Sequence, residues 1–291
     1  MKKKIISVFV GIAGLVAVYF VASGISHIIY NRPADNTSTE AEAESTEQGT
    51  EEAKSAMTED EINAMLAGMK TTETAETETA AEEQSEVIPV KFEELQAVNP
   101  DVYAWITVPG TDIDYPILQH ASDNTYYLMH NIDGSYGYPG CIYTENMNSK
   151  DFTDNNTVIY GHNMKNGSMF AQLHKYEDPD FFDANREVLI YLPGEVLHYT
   201  IFAAHIYDDR HLLYSFDFTD PEVYQKYLDS IFSTRDMNAN IDKDITVTTD
   251  DQIITLVTCI GSQPNNRLLV QAVLTDREPG TEAAREEAAA E

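Results

Sequence analysis

Cysteine is nearly absent from this 291-residue chain, which has only Cys141 and Cys259. Two are too few for a disulfide scaffold and too few for a cysteine-ligated zinc site. One disulfide stays open on spacing alone, whereas a reactive thiol requires both to be free. Basic residues are scarce as well: 18 Lys and Arg stand against 49 Asp and Glu, a net charge of -31. The deficit is not confined to one tail. Residues 31–86 hold sixteen acids and three bases, and residues 87–275 hold 27 acids and ten bases. Binding to phosphates needs clustered Lys and Arg, so nucleic acid is excluded as a partner. Such charge more plainly serves solubility. No glycine-rich phosphate loop follows a strand. His162 and His174 have no companion at metal-like spacing, and His120 and His130 lie in loop-like sequence. No metal or cofactor is expected.

Long hydrophobic runs are limited to one. Met1-Lys2-Lys3-Lys4 precedes an apolar stretch from Ile5 to about Ile29. About 20 residues suffice for a helix to span the hydrocarbon core of a bilayer. Residues 5–30 are therefore expected to form a transmembrane signal anchor in contact with the lipid bilayer. The basic residues 1–4 would stay cytoplasmic and the rest of the chain would lie outside the cell membrane. A cleaved signal peptide is the rival reading, with Val21-Ala22-Ser23-Gly24 as its cleavage site.

Residues 31–86 are Thr, Glu, Ala and Ser with few large apolar side chains. They cannot bury enough surface to offset ordering, so an acidic disordered spacer is expected. One island interrupts it. Thr58-Glu59-Asp60-Glu61 has the form of a capping box, with Ile62, Met65, Leu66 and Met69 at helical spacing. Two outcomes are open, docking on the domain or transient formation; a helix this short is marginal in water, so the transient form is the expectation. Residues 277–291 read as a disordered tail.

Between them, residues 87–276 alternate strand and turn signals. The strands are Trp105–Val108, Ile113–Leu118, Cys141–Tyr143, Thr157–Tyr160, Arg186–Leu192, Val196–Ile206, Gln252–Cys259 and Arg267–Leu274. Pro109-Gly110 and Pro193-Gly194 punctuate them. Eight short strands point to a mainly β fold, a closed or nearly closed barrel or a sandwich. Two helices are expected, Ser168–Tyr176 and one opened by Asp220-Pro221-Glu222. In the second, Asp220 caps, Pro221 takes the first helical position, and Tyr224, Tyr227, Leu228 and Ile231 form an apolar stripe.

The chemistry gathers at Thr255-Leu256-Val257-Thr258-Cys259, a strand that ends on a cysteine. A loop from Gly261 to Asn266 leads into a second strand at Arg267. Such a hairpin sets Cys259 and Arg267 at one end of a sheet. Alone, Cys259 reads more simply as a packed strand-end residue, since free cysteine is among the most buried types. With an imidazole from His162 and a guanidinium from Arg267, it becomes a set sufficient for acyl transfer. Free cysteine and histidine at their ordinary acidities are both ionised in only about 1% of molecules at pH 7. A close pairing would raise that fraction.

Tyr160-Gly161-His162-Asn163-Met164, Thr255 to Cys259 and Arg267, in that order, resemble the sortases, and class B in particular. The likeness continues at Trp105-Ile106, Thr111 to Pro116, Asn124 to Leu128 and Asn166 to Phe170, over roughly residues 90 to 275. The helix before the cysteine strand resembles the class B insertion. The resemblance implies an eight-stranded barrel on the outer face of a Gram-positive membrane. It implies a cysteine transpeptidase that cleaves a C-terminal sorting signal of surface proteins, commonly Asn-Pro-x-Thr, after the Thr. The acyl group then passes to an amine of a peptidoglycan precursor. His162, Cys259 and Arg267 occupy the family's catalytic positions, and Asn124 and Leu128 fall in its substrate groove. Class B members often carry Ser two residues before the cysteine and a polar residue after it. Here those are Val257 and Ile260, which implies a more apolar groove. A hydrolytic peptidase, a pilin-polymerising sortase and a barrel that only binds are the alternatives.

Overall fold

Eight strands close into a barrel, and two short ones are added at its margins. The computed structural model describes residues 57–70 and 86–282. The strands are β1 (Glu86–Ile88), β2 (Val102–Val108), β3 (Ile113–Leu118), β4 (Ile142–Thr144), β5 (Asn156–Tyr160), β6 (Glu187–Leu192), β7 (Glu195–Asp208), β8 (Asn240–Ile241), β9 (Ile253–Ile260) and β10 (Gln263–Glu282). The order β10-β9-β5-β4-β3-β2-β6-β7 closes because β7 also pairs with β10. Closure removes the exposed edges that an open sheet of this length would present. β3–β4 and β5–β9 are parallel pairs, and the other pairs of the ring are antiparallel.

Both faces of β9 are buried except at Cys259, which is why apolar residues do not alternate with exposed polar ones and why even Thr255 and Thr258 are buried. Ile254, Leu256 and Ile260 face the barrel interior, beside Leu268, Val270 and Ala272 of β10. Ile253 and Val257 face outward and are covered by the helix Pro221–Phe232. That helix begins as expected, with the Asp220 carboxylate accepting from the Glu222 N–H at 2.8 Å. Its stripe of Tyr224, Tyr227, Leu228 and Ile231 is fully packed against the outer face of the sheet.

The expected transient island is an ordered, docked helix, Glu59–Gly68. Its capping box is complete: Thr58 Oγ1 accepts from the Glu61 N–H, and Glu61 Oε2 accepts from the Thr58 N–H. Ile62 and Leu66 are only 7% exposed and join a cluster with Ile88, Trp105, Tyr127 and Ile132. Burying each such side chain contributes roughly 1.5–3 kcal/mol, enough to overcome the weakness of an isolated short helix. Lys70 adds an ion pair to Asp114 at 2.6 Å. The disordered spacer expected over residues 31–86 therefore does not extend through this helix or through β1.

The end of the chain differs as well. β10 runs to Glu282, because β7 pairs with it as far as Pro279 opposite Glu195 and β1 then pairs alongside in parallel, from Glu86 opposite Gly280 to Ile88 opposite Glu282. The expected tail from residue 277 is thus strand for its first residues.

The single-pass membrane location is corrected, while the anchor expected over residues 5–30 falls outside the described residues. Among the described residues no helix is long and apolar enough to cross a membrane. The longest of them, Pro221–Phe232, has 12 residues and one polar face, well short of the about 20 that a span takes. Residues 1–4 and 5–30, the rest of the spacer and residues 283–291 lie outside the described residues.

Candidate active site

Three adjacent strands bring the chemistry together. β5 and β9 run parallel in a register that ends with Tyr160 opposite Val257. β5 ends there, and the Gly161 N–H still donates to the Val257 carbonyl at 3.1 Å before the chain turns toward His162. On the other side of β9, Cys259 pairs directly with Arg267 of β10. Side chains alternate along each strand. Ile159 and Leu256 point inward, so Tyr160, Val257, Cys259 and Arg267 belong to the outer face. Cys259 and Arg267 therefore stand side by side at the end of the sheet, as the hairpin in the sequence leads one to expect, and the segment that follows β5 runs past the same end, where Asn163 Nδ2, next to His162, donates to the Cys259 carbonyl.

Cys259 is exposed, unlike every other residue of β9. Val257 and Ile260, expected to make the groove more apolar, are buried at 7% and 8% exposure and belong to the packing. Val257 lies under the outer layer and Ile260 faces the barrel interior.

The His162 ring is held by its surroundings. Its Nε2 lies 2.8 Å from the carbonyl oxygen of Leu128, which can only accept, so Nε2 carries the proton and Nδ1 is the free nitrogen. The Tyr138 ring meets it edge-on at 5.2 Å. Its main chain is fixed by the Phe170 N–H donating to the His162 carbonyl at 2.9 Å. Gly161 just before it has no room for a side chain. A Cβ there would sit 2.5 Å from Ile142 Cδ1 and 2.6 Å from the Phe170 ring. That close approach sets the turn by which β5 leaves the barrel and presents His162.

Arg267 is anchored in its own loop. Its Nη1 donates to the carbonyls of Pro264 and Asn266, both at 2.9 Å. Two of the five guanidinium N–H groups are thereby used and the remainder of the fork is left for another acceptor.

Of the two groove residues expected from the resemblance, Leu128 reaches the site through its carbonyl and its side chain is 39% exposed. Asn124 lies one turn earlier, and its Oδ1 accepts from the Asn146 N–H at 2.9 Å, joining two loops. Cys141 is buried, its thiol donating to the His130 carbonyl at 3.4 Å, and burial pushes its pKa up. Both cysteines are free thiols.

Sequence reasoning missed Asn163 and His174. Asn163 Nδ2 donates to the Cys259 carbonyl at 2.9 Å, and His174 Nε2 lies 3.1 Å from the same oxygen. The one signal in the sequence is the spacing of His174 and Glu177, one helical turn apart.

Comparison with known proteins agrees with this geometry. The sortase domain family model matches residues 106–275. Sortase B of Listeria monocytogenes is 36% identical over 191 residues, which cover 64% of this chain and 75% of that protein. The crystal structure of sortase B from Clostridium perfringens aligns with a TM-score of 0.58 at 34% identity, over 64% of this chain and 100% of the other. A Streptococcus pyogenes class B sortase involved in pilus biogenesis aligns with a TM-score of 0.55 at 29% identity, over 64% of this chain and 98% of that one. The matched stretch runs from β2 into β10 and includes both strands of the Cys259–Arg267 hairpin, so this chain belongs to the sortase family of cysteine transpeptidases, within class B.

Proposed function

We propose that this sortase cleaves a C-terminal sorting signal of the Asn-Pro-x-Thr type after the Thr and transfers the acyl group from Cys259 to an amine of a peptidoglycan precursor. The observation that supports the reading is an exposed Cys259 thiol paired across the hairpin with Arg267, at the end of the strand beside the one that leads into His162. Sortases as a family act on proteins with sorting signals and on cell-wall substrates, which fixes the substrate class more coarsely than the motif.

The thiolate of Cys259 attacks the Thr carbonyl carbon. The oxyanion that forms takes hydrogen bonds from the free part of the Arg267 fork. The peptide C–N bond then breaks, and His162 gives a proton to the departing amine. A thioester to Cys259 remains. An incoming amine attacks it, loses a proton to His162 and expels the thiolate, which restores the starting state. The Leu128 carbonyl supports this cycle by keeping Nε2 protonated, so that Nδ1 is the nitrogen that gains and loses the proton.

The test incubates the full chain with a fluorogenic Asn-Pro-x-Thr peptide library, with and without an amine acceptor, and reads products by mass spectrometry. Cleavage after Thr, a Cys259-linked acyl adduct and a ligated product that depends on the amine are expected. Water as the sole acceptor would instead indicate a hydrolytic peptidase. The Cys259→Ala variant should lose turnover and keep its melting temperature; cleavage by that variant would overturn the assignment of the nucleophile. The likeness to a pilus-related class B sortase favours one second reading, a pilin lysine as the acceptor amine. A lysine-bearing peptide run beside a peptidoglycan stem amine separates the two.

A further inference from the structure

The main-chain ladder between β5 and β9 stops one step short of the nucleophile. Its last bond runs from the Gly161 N–H to the Val257 carbonyl, at 3.1 Å. The Thr258 hydroxyl, facing the interior, donates to the Gly161 carbonyl at 2.9 Å. The next carbonyl on that side of β9 belongs to Cys259, and β5 has no main-chain donor left for it. Side chains take its place. Asn163 Nδ2 donates to it at 2.9 Å, and the same amide nitrogen lies 3.0 Å from His174 Nε2. On the far side of the imidazole, Nδ1 lies 3.0 Å from Glu177 Oε2. Lys175, between His174 and Glu177 in sequence, sends its ammonium away to the Gly110 carbonyl.

One hydrogen assignment serves the three bonds from Glu177 to the Cys259 carbonyl, and it leaves the 3.1 Å approach of His174 Nε2 to that carbonyl as a contact with no hydrogen between the two atoms. The Glu177 carboxylate can only accept, so His174 donates from Nδ1 and its Nε2 is an acceptor. Asn163 has two amide hydrogens. One goes to the Cys259 carbonyl and the other to His174 Nε2. The chain Glu177–His174–Asn163 therefore ends on the nucleophile's own backbone. Asn163 is also the residue directly after His162, so one amide ties the frames of both reacting groups together.

We propose that Asn163, His174 and Glu177 form a positioning relay that fixes the Cys259 backbone, and with it the direction of Sγ toward His162. None of the three touches substrate in this scheme; they act through Cys259. A carbonyl released at a strand end turns with its peptide plane, which re-aims the Cα–Cβ bond. Displacing a reacting group by about 1 Å costs on the order of 100-fold in rate. The proposal rests on Cys259 being the nucleophile.

The experiment measures kcat and KM for peptide transfer by the full chain and its Cys259→Ala, Asn163→Ala, His174→Ala, His174→Gln and Glu177→Ala variants. Asn163→Ala and His174→Ala should lower kcat about 10-fold or more with KM within about twofold. His174→Gln should recover most of the loss, because its amide offers an acceptor for Asn163 where Nε2 stood. Glu177→Ala, at an exposed carboxylate that removes no packing, should lower kcat about threefold and tests the relay even if His174→Ala fails to fold. Values of kcat near wild type in Asn163→Ala and His174→Ala, with Cys259→Ala inactive, would overturn the relay and leave the nucleophile standing. His174→Gln as poor as His174→Ala, or a rise in KM at constant kcat, would also overturn it. Activity in Cys259→Ala would instead remove the reading on which the relay depends.

Discussion

Arg267 and Gly161 show how much of the site rests on single residues. Arg267 meets Cys259 across the hairpin and spends one nitrogen on its own loop, on the carbonyls of Pro264 and Asn266. Lysine at this position carries a charge but no planar fork, so it cannot hold the loop and face an oxyanion at once. Arg267→Lys is expected to lower kcat by about 100-fold or more, read from initial rates of peptide cleavage. A rate near wild type would argue against the oxyanion role. Gly161 is tested by Gly161→Ala. The added methyl must push against the Phe170 ring, part of the barrel core, and Ile142. Overpacking of this kind typically costs about 1–3 kcal/mol, so both the melting temperature and kcat should fall. His162, Cys259 and Arg267 stand out as candidates in the sequence because each lies beside a strong local signal: a strand that stops at Cys259, a loop that stops at Arg267, and Tyr160-Gly161 before His162. Asn163 and His174 do not, since their role exists only where β5 and β9 part.

At the scale of elements, the helix Glu59–Gly68 is where tertiary contact overrides local weakness. Its capping box and apolar spacing are readable, but its stability comes from Ile62 and Leu66 against the cluster around Trp105 and Tyr127. Its first turn also reaches the loop that follows His162. Glu59 Oε1 accepts from Asn166 Nδ2 at 2.9 Å and from the Ser168 hydroxyl at 2.7 Å. Ile62→Asp combined with Leu66→Asp is expected to release the helix. Amide exchange over residues 59–68 should become fast, and the loop at 163–169 should lose protection with it. Protection of the helix unchanged from wild type would show that capping and the Lys70–Asp114 pair hold it without the buried side chains. The same logic accounts for the two strands that no sequence signal marked. β8 has two residues, and β1 has three at the edge of an acidic segment; each is a strand only because β7 or β10 offers it a partner.

Across the whole molecule, buried titratable groups tie stability to pH. His205 of β7 is 6% exposed, with Nε2 3.0 Å from Gln271 Oε1. Burial holds its pKa below the ordinary histidine value. The unfolded chain then binds a proton at a pH where the folded chain does not. Stability from this residue is complete above about pH 6.5 and is lost as the pH falls through the lower folded-state value. Melting temperatures of wild type and His205→Gln, compared between pH 7.5 and 5.5, should show a steeper fall for wild type. Equal slopes would mean that His205 carries no share of the acid lability. The carboxylates held low, such as Asp208 beside Arg210, titrate further down and do not confuse this window.

The sequence by itself determined the eight strands of the barrel and which face of the helix at Pro221 is apolar, and it singled out His162, Cys259 and Arg267 as the candidates for the chemistry. These are properties of local periodicity and of residue type, and they do not depend on what lies across the sheet. Only the tertiary structure decided that the barrel closes through β7 and β10, that a marginal helix docks, and that the chain stays strand to Glu282. It alone brought His174 to the Cys259 carbonyl, 85 residues away in sequence. Such contacts are set by the register of distant strands, and a shift of one residue in that register would turn Cys259 from the outer face to the core.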